Sequence, residues 1–202
     1  MAENKDPLAR PSGEGHSTGS LLARARAGDR SALDLLIARH SPRLLQWAHG
    51  RLPYWARDIL ETGDLVQISL VKALNHVQDF VPRHEGAFLA YLRQVLLNEV
   101  RQEIRRVRRR PEKDTFPADF AARDQSPLEE MVGRETLERY EVALAKLPEA
   151  QRAAVILRLE FGFTHEQIAA ACESPSANAA RMMVKRGLLI LASEMEHAGE
   201  RG

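Results

Sequence analysis

The sequence predicts an all-α protein of two small helical domains joined by a flexible linker, and three observations carry that prediction. Apolar residues recur at spacings of three and four from Gly19 to about Arg110, and again from Arg134 to about Met195, which is the period of helices with one buried face. Leu, Ala, Arg and Glu abound while aromatics make up only 5%, a mix that favours helices over sheets. Between the two periodic stretches, residues 111–133 hold three prolines, no sustained period and an excess of acid, as an interdomain tether would. A chain of 202 residues divided this way gives each unit only a modest core.

Taken in order, residues 1–18 are rich in Gly, Pro, Ser and charge, and are expected to form a disordered tail. They lack the apolar stretch of a signal peptide, and no run of about 18 apolar residues follows, so a cytoplasmic protein is expected. The first unit, residues 19–110, breaks near Gly28-Asp29, Leu52-Pro53 and Val81 to Gly86, giving about four helices. Asp29 is placed to cap the run SALDLLIARHSPRLLQWAHGRL, and Thr62 to cap GDLVQISLVKALNHV, with Asp64 in its first turn. In the latter, Val66, Leu70, Leu74 and Val77 form the expected buried stripe. The second unit, residues 134–196, is interrupted at Leu147-Pro148, Phe161 to Phe163 and Glu173 to Pro175, and residues 197–202 form a tail.

Net charge is only +1, but its distribution is uneven. Residues 101–110, RQEIRRVRRR, carry six arginines against one glutamate, whereas 111–135 carry three cations against seven acids. The basic block suits phosphate contacts, which any polynucleotide backbone offers. A single cysteine, Cys172, forms no internal disulfide or cysteine cluster and reads as a small buried apolar residue.

The segment THEQIAAACESPSANAARMMVKRGLLIL has the shape of a helix-turn-helix. Thr164 and Gln167 form a capping box, and Ser174-Pro175 supplies a cap and an initiating proline for the second helix. On that second helix Ala177, Ala180, Val184, Leu188 and Leu191 share one face, while Asn178, Arg181, Met182 and Lys185 share the other, with Ser176 and Arg186 at its margins. Asn178 and Arg181 suit base edges, and Lys185 and Arg186 suit phosphates. An ordinary helical hairpin with solvated cations has the same spacing.

The stretch LPEAQRAAVILRLEFGFTHEQIAAACESPSANAARMMVKRGLLIL resembles the fourth region of the sigma-70 family, especially its extracytoplasmic-function branch. That resemblance implies reading of the −35 promoter element by Ser176, Asn178, Arg181, Lys185 and Arg186. Arg181 falls on the family's usual recognition-helix arginine, while Asn178-Ala179-Ala180 stands where Val-Lys-Ser is common. Residues 20–106 resemble the family's second region, with DLVQ at Asp64 to Gln67 as the strongest local match. The resemblance implies docking on the clamp helices of bacterial RNA polymerase core through Glu61, Asp64, Leu65 and Gln67. Read alone, a charged helix face of this kind is usually just solvated. The segment FVPRHEGAFLAYLRQVLLNEVRQEIRR resembles the part that melts and reads the −10 element, implicating Arg83, His84, Asn98, Arg101, Arg105 and Arg106. Tyr91 stands where the family often has tryptophan and is equally a core residue; Gln102 stands where Asp is usual. The acidic linker is implied to thread polymerase's basic channel.

Many relatives have consecutive acids before DLVQ, whereas this chain reads ETGD, with Gly63 in place of one carboxylate. Thr62 is therefore a candidate phosphosite, where a Ser/Thr kinase would restore negative charge at a helix start; the plain alternative is a helix cap. The resemblance thus implies an alternative sigma factor whose partners are polymerase core and promoter DNA, with an anti-sigma factor or a kinase as further partners and no cofactor. An enzyme is not expected: HEQIA at His165 to Ala169 begins like a zinc-protease motif but has Ala169 where the second ligand must stand. The runner-up is a helix-turn-helix regulator that binds duplex DNA without joining polymerase.

Overall fold

The computed structural model describes residues 17–52, 62–76, 84–108 and 125–199. The tails, the Pro53–Glu61 segment and the greater part of the linker lie outside these residues. The described residues form helices and connecting turns, with no strand among them.

The amino-terminal unit holds α1 (Thr18–Arg26), α2 (Arg30–His49), α3 (Thr62–Asn75) and α4 (Glu85–Arg108). Ser17 opens α1 by accepting a hydrogen bond from the Ser20 amide at 3.1 Å. At Gly28 the chain turns with φ 90, a conformation that a Cβ disfavours, and delivers Asp29 to the start of α2. There the Asp29 carboxylate caps the amides of Ser31 and Ala32 at 2.9 and 3.2 Å, as expected. The Ser31 hydroxyl and Arg24 also bind this carboxylate and hold its pKa down at about 2. Thr62 differs from expectation by one position: it is the first residue of α3 itself. Val66 and Leu70 of the expected stripe are buried and Leu74 is half-buried, while Val77 lies outside the described residues.

The carboxy-terminal unit contains α6 (Arg134–Lys146), α7 (Glu149–Leu159), α8 (His165–Ala171) and α9 (Ala177–Gly199). Ahead of it, residues 127–132 depart from the structureless linker that the sequence suggested. They form α5 (Pro127–Val132), because Ser126 and Glu129 make a reciprocal capping box and Pro127 occupies the first helical position. The Leu128 amide then bonds the Gly50 carbonyl at 3.1 Å, tying α5 to the end of α2.

Beyond being tethered, the two units pack on each other. One apolar cluster runs from Leu36 and Leu44 of α2 through Phe88 and Leu92 of α4 to Ala154 and Leu157 of α7 and Ile168 of α8. A second, smaller cluster of Leu144, Leu147, Val155, Ile156 and Leu191 closes the carboxy-terminal unit on itself. Gly86 allows the close approach of α4: a Cβ there would meet Leu157 at 2.8 Å and the Cys172 sulfur at 3.0 Å. Cys172 is buried as the sequence suggested, and burial pushes its thiol pKa up to about 11.

Candidate nucleic-acid interface

A short helix, α8, and a long one, α9, set at a tight turn build the carboxy-terminal site. Thr164 accepts from the Gln167 amide while the Gln167 side chain accepts from the Thr164 amide, so the expected capping box starts α8. The turn that follows corrects the sequence reading. Glu173 takes a positive φ of 51, the chain runs on past Pro175, and Ser176 rather than Ser174 caps α9 by accepting from the Ala179 amide at 3.1 Å. The Ser174 hydroxyl is buried without a hydrogen-bond partner.

The inner face of α9 is also adjusted. Ala180, Val184 and Leu191 are buried, but Leu188 is exposed, and Gly187 takes the inward place. A Cβ on Gly187 would meet a Val155 methyl at 2.6 Å, so α9 and α7 touch there almost backbone to side chain. That packing turns Ser176, Asn178, Arg181, Lys185 and Arg186 to solvent, all five of the expected −35 residues. The Arg181 guanidinium donates to Asn178 Oδ1 at 3.0 and 3.3 Å, so the pair is held one turn apart as a joint polar surface. The first turns of α9 thus present an amide and a guanidinium, with two more cations a turn further on.

On the amino-terminal unit, Asp64 and Gln67 of α3 are exposed and Glu61 lies outside the described residues. Leu65, expected in the polymerase-docking set, is 3% exposed and belongs to the core cluster, so it supports α3 from beneath. The sequence reading missed Ile68 and Val71, which are 41% and 52% exposed. With Asp64 and Gln67 they follow the spacing i, i+3, i+4, i+7 and make one half-polar, half-apolar outer face. An apolar residue outside the buried stripe was the available signal.

Along α4 the −10 set divides. Arg83 lies outside the described residues, and half-buried His84 uses Nδ1 to accept from the Ala87 amide at 3.0 Å, capping the helix. Asn98 and Arg105 are exposed and Arg101 is half-buried. Arg106 pairs with Glu103 at 2.6 Å, and that bond raises its pKa. Tyr91 is half-buried and packs on the core beside Phe88, with ring centroids 6.4 Å apart. No group of three or more His, Cys, Asp and Glu side chains that could hold a metal ion occurs among the described residues.

Such a fold and surface define a helix-turn-helix DNA-binding protein with a second helical unit carrying its own basic helix. The Sigma-70 region 2 model matches residues 36–110, and the Sigma-70, region 4 model matches residues 137–188. The chain is 30% identical to the extracytoplasmic-function RNA polymerase sigma-E factor of Haemophilus influenzae, over 77% of this chain and 84% of that protein. It is 29% identical to the RNA polymerase sigma-H factor of Pseudomonas aeruginosa over 77% and 82%, and 28% identical to SigD of Mycobacterium tuberculosis over 93% and 88%. The structure of CnrH in complex with the cytosolic domain of CnrY matches with a TM-score of 0.38 and 27% identity, covering 88% of this chain and 96% of CnrH. The chain belongs to the sigma-70 family, in its extracytoplasmic-function branch, and acts as an alternative sigma factor for promoter recognition by RNA polymerase.

Proposed function

We propose a division of labour among three helix faces. The α3 face of Asp64, Gln67, Ile68 and Val71 docks on polymerase core, with Glu61 beside it. The α4 residues Asn98, Arg101, Arg105 and Arg106, with Arg83 and His84 ahead of them, take the melted −10 strand. The α9 residues Asn178, Arg181, Lys185 and Arg186 enter the major groove at the −35 element. Catalysis stays with polymerase, the protein itself supplying only recognition, and it works where polymerase and chromosome are, in the cytoplasm.

The observation that supports this most directly is the outward face of α9, where a hydrogen-bonded Asn178–Arg181 pair precedes two unburied cations. A guanidinium placed this way can bind guanine through two parallel hydrogen bonds, worth about 1–3 kcal/mol of discrimination. Arg181→Ala is expected to cost the polymerase holoenzyme roughly 10- to 100-fold in promoter affinity, read by gel shift on promoter DNA, with helicity unchanged. Equal affinity for promoter and scrambled duplex in both proteins would refute the assignment.

Thr62 stands at the start of α3, two residues before exposed Asp64. A phosphate there adds negative charge at a helix amino terminus and to the docking face at once. We read it as a kinase-controlled charge that completes the docking surface. Thr62→Glu is expected to tighten binding to core polymerase; an unmodified protein that already binds tightly, with no gain from Thr62→Glu, would refute the control.

A further inference from the structure

On α9, the side chain that stands opposite the buried face is apolar. Counting about 100° per residue, the buried Ala180, Val184, Gly187 and Leu191 occupy a sector about 60° wide. Met182 lies almost diametrically across the helix from the middle of that sector, and it is half-buried. Its neighbours one turn away, at i−4, i−3, i+3 and i+4, are Asn178, Ala179, Lys185 and Arg186. Among the described residues Met182 joins neither apolar cluster, whereas Met183, next in the chain, packs back on the larger one. A thioether is thus set in the middle of the polar face, between the hydrogen-bonded Asn178–Arg181 pair and the Arg186 cation.

Core packing does not explain that placement, since Met182 adds to neither cluster. Seating in a groove does. The middle of a helix face that enters the major groove is pressed nearest the base edges, while its margins reach towards the phosphate walls. Most of what the base edges offer there is donors and acceptors, which an apolar side chain desolvates without replacing their hydrogen bonds. The apolar exception is the C5-methyl group of thymine. Methionine suits it, because an unbranched chain with a polarisable sulfur fits an apolar surface without demanding one fixed geometry.

The helix also sets where that thymine must lie. Arg181 and Met182 are separated by about 1.5 Å along the axis and about 100° around it, which at a side-chain radius of about 5 Å spreads them by roughly 8 Å. At about 3.4 Å per base pair, this is a little over two steps of duplex.

We propose that Met182 is a specificity-determining residue of the −35 reader, packing on the 5-methyl group of a thymine about two base pairs from the base that Arg181 contacts. The assignment deepens the −35 reading of α9 and rests on it.

The test uses holoenzyme assembled from core polymerase and the full chain, as wild type, Met182→Gln and Met182→Leu. Glutamine matches methionine in length and helix propensity while removing the apolar contact, and leucine retains an apolar side chain. Each holoenzyme selects from promoter duplexes with a randomised −35 segment. In the best wild-type site every thymine is then replaced singly by deoxyuridine, which removes the methyl group and keeps the base pairing. Wild type is expected to enrich thymine at one position and to bind about three- to fivefold more weakly when that thymine becomes deoxyuridine, as burial of a single methyl group implies. Met182→Leu keeps this preference. Met182→Gln loses it, binds both duplexes alike and retains the preferences at the other positions. Three results overturn the role of Met182: wild type indifferent to deoxyuridine at every thymine, Met182→Gln as sensitive as wild type, or Met182→Leu as indifferent as Met182→Gln. In each of these, enrichment of a −35 sequence by wild type leaves the groove-reading role of α9 standing. Enrichment of no −35 sequence by wild-type holoenzyme overturns both.

Discussion

His40 offers a pH-dependent prediction with a magnitude. It lies inside α2, 2% exposed, its ring edge-on to Phe88 at 5.3 Å, and neither ring nitrogen has a hydrogen-bond partner. Burial, reinforced by Arg39 and Arg43, lowers its pKa from 6.5 to about 3. The unfolded chain therefore binds a proton at this residue throughout that interval while the folded chain does not, and stability falls as pH drops below 6.5. At pH 7 the effect is nearly absent; by pH 5 His40 alone costs about 2 kcal/mol, and near pH 3 about 4–5 kcal/mol. His40→Leu removes the titration together with two unsatisfied polar atoms that cost roughly 1–3 kcal/mol. Urea denaturation of both proteins at pH 7 and pH 5 gives the answer as a double difference. The variant is expected to be at least as stable at pH 7 and to lead by about 2 kcal/mol more at pH 5. Parallel stability curves for the two proteins, within about 0.5 kcal/mol, would refute a neutral, unpartnered imidazole in this core.

Two more expectations follow from the recognition unit. Gly187→Leu drives a side chain into Val155 and the Gln151 carbonyl, and is expected to destabilise by about 1–3 kcal/mol in thermal melts; an unchanged melting temperature would contradict the α7–α9 packing. Lys185→Ala leaves an exposed position, so stability stays within about 0.5 kcal/mol, while promoter and non-promoter binding weaken alike and the salt slope falls by about 1.

Much of this architecture was legible in the sequence because local chemistry determines it. Asp29 and the Thr164–Gln167 box start their helices as read, since a side-chain oxygen three residues from a free amide needs no distant partner. The five polar residues of α9 reach solvent because the 3.6-residue period fixes the opposite face. The misreadings have long-range or backbone causes. The DLVQ motif groups Leu65 with its polar neighbours, although its side chain is buried in the core. Ser174 lost the cap to Ser176 because a left-handed Glu173 lengthens the turn by two residues, which side-chain pattern does not encode. Nothing local in AFLAYLRQVLL marks buried Arg93, because its partners Glu141 and Glu160 lie 48 and 67 residues away. The signal was an arginine on an apolar helix face, which demands a buried acid somewhere in the fold.

The central claim is that this chain confers promoter choice on bacterial polymerase through α9 and α4. Run-off transcription on a genomic promoter library, with core enzyme alone and with core plus this protein, tests it most directly. Transcripts that appear only with the protein, from promoters sharing one pair of motifs about 25 base pairs apart, are predicted. Specific DNA binding by the protein without core, and no new transcripts with it, would contradict the account.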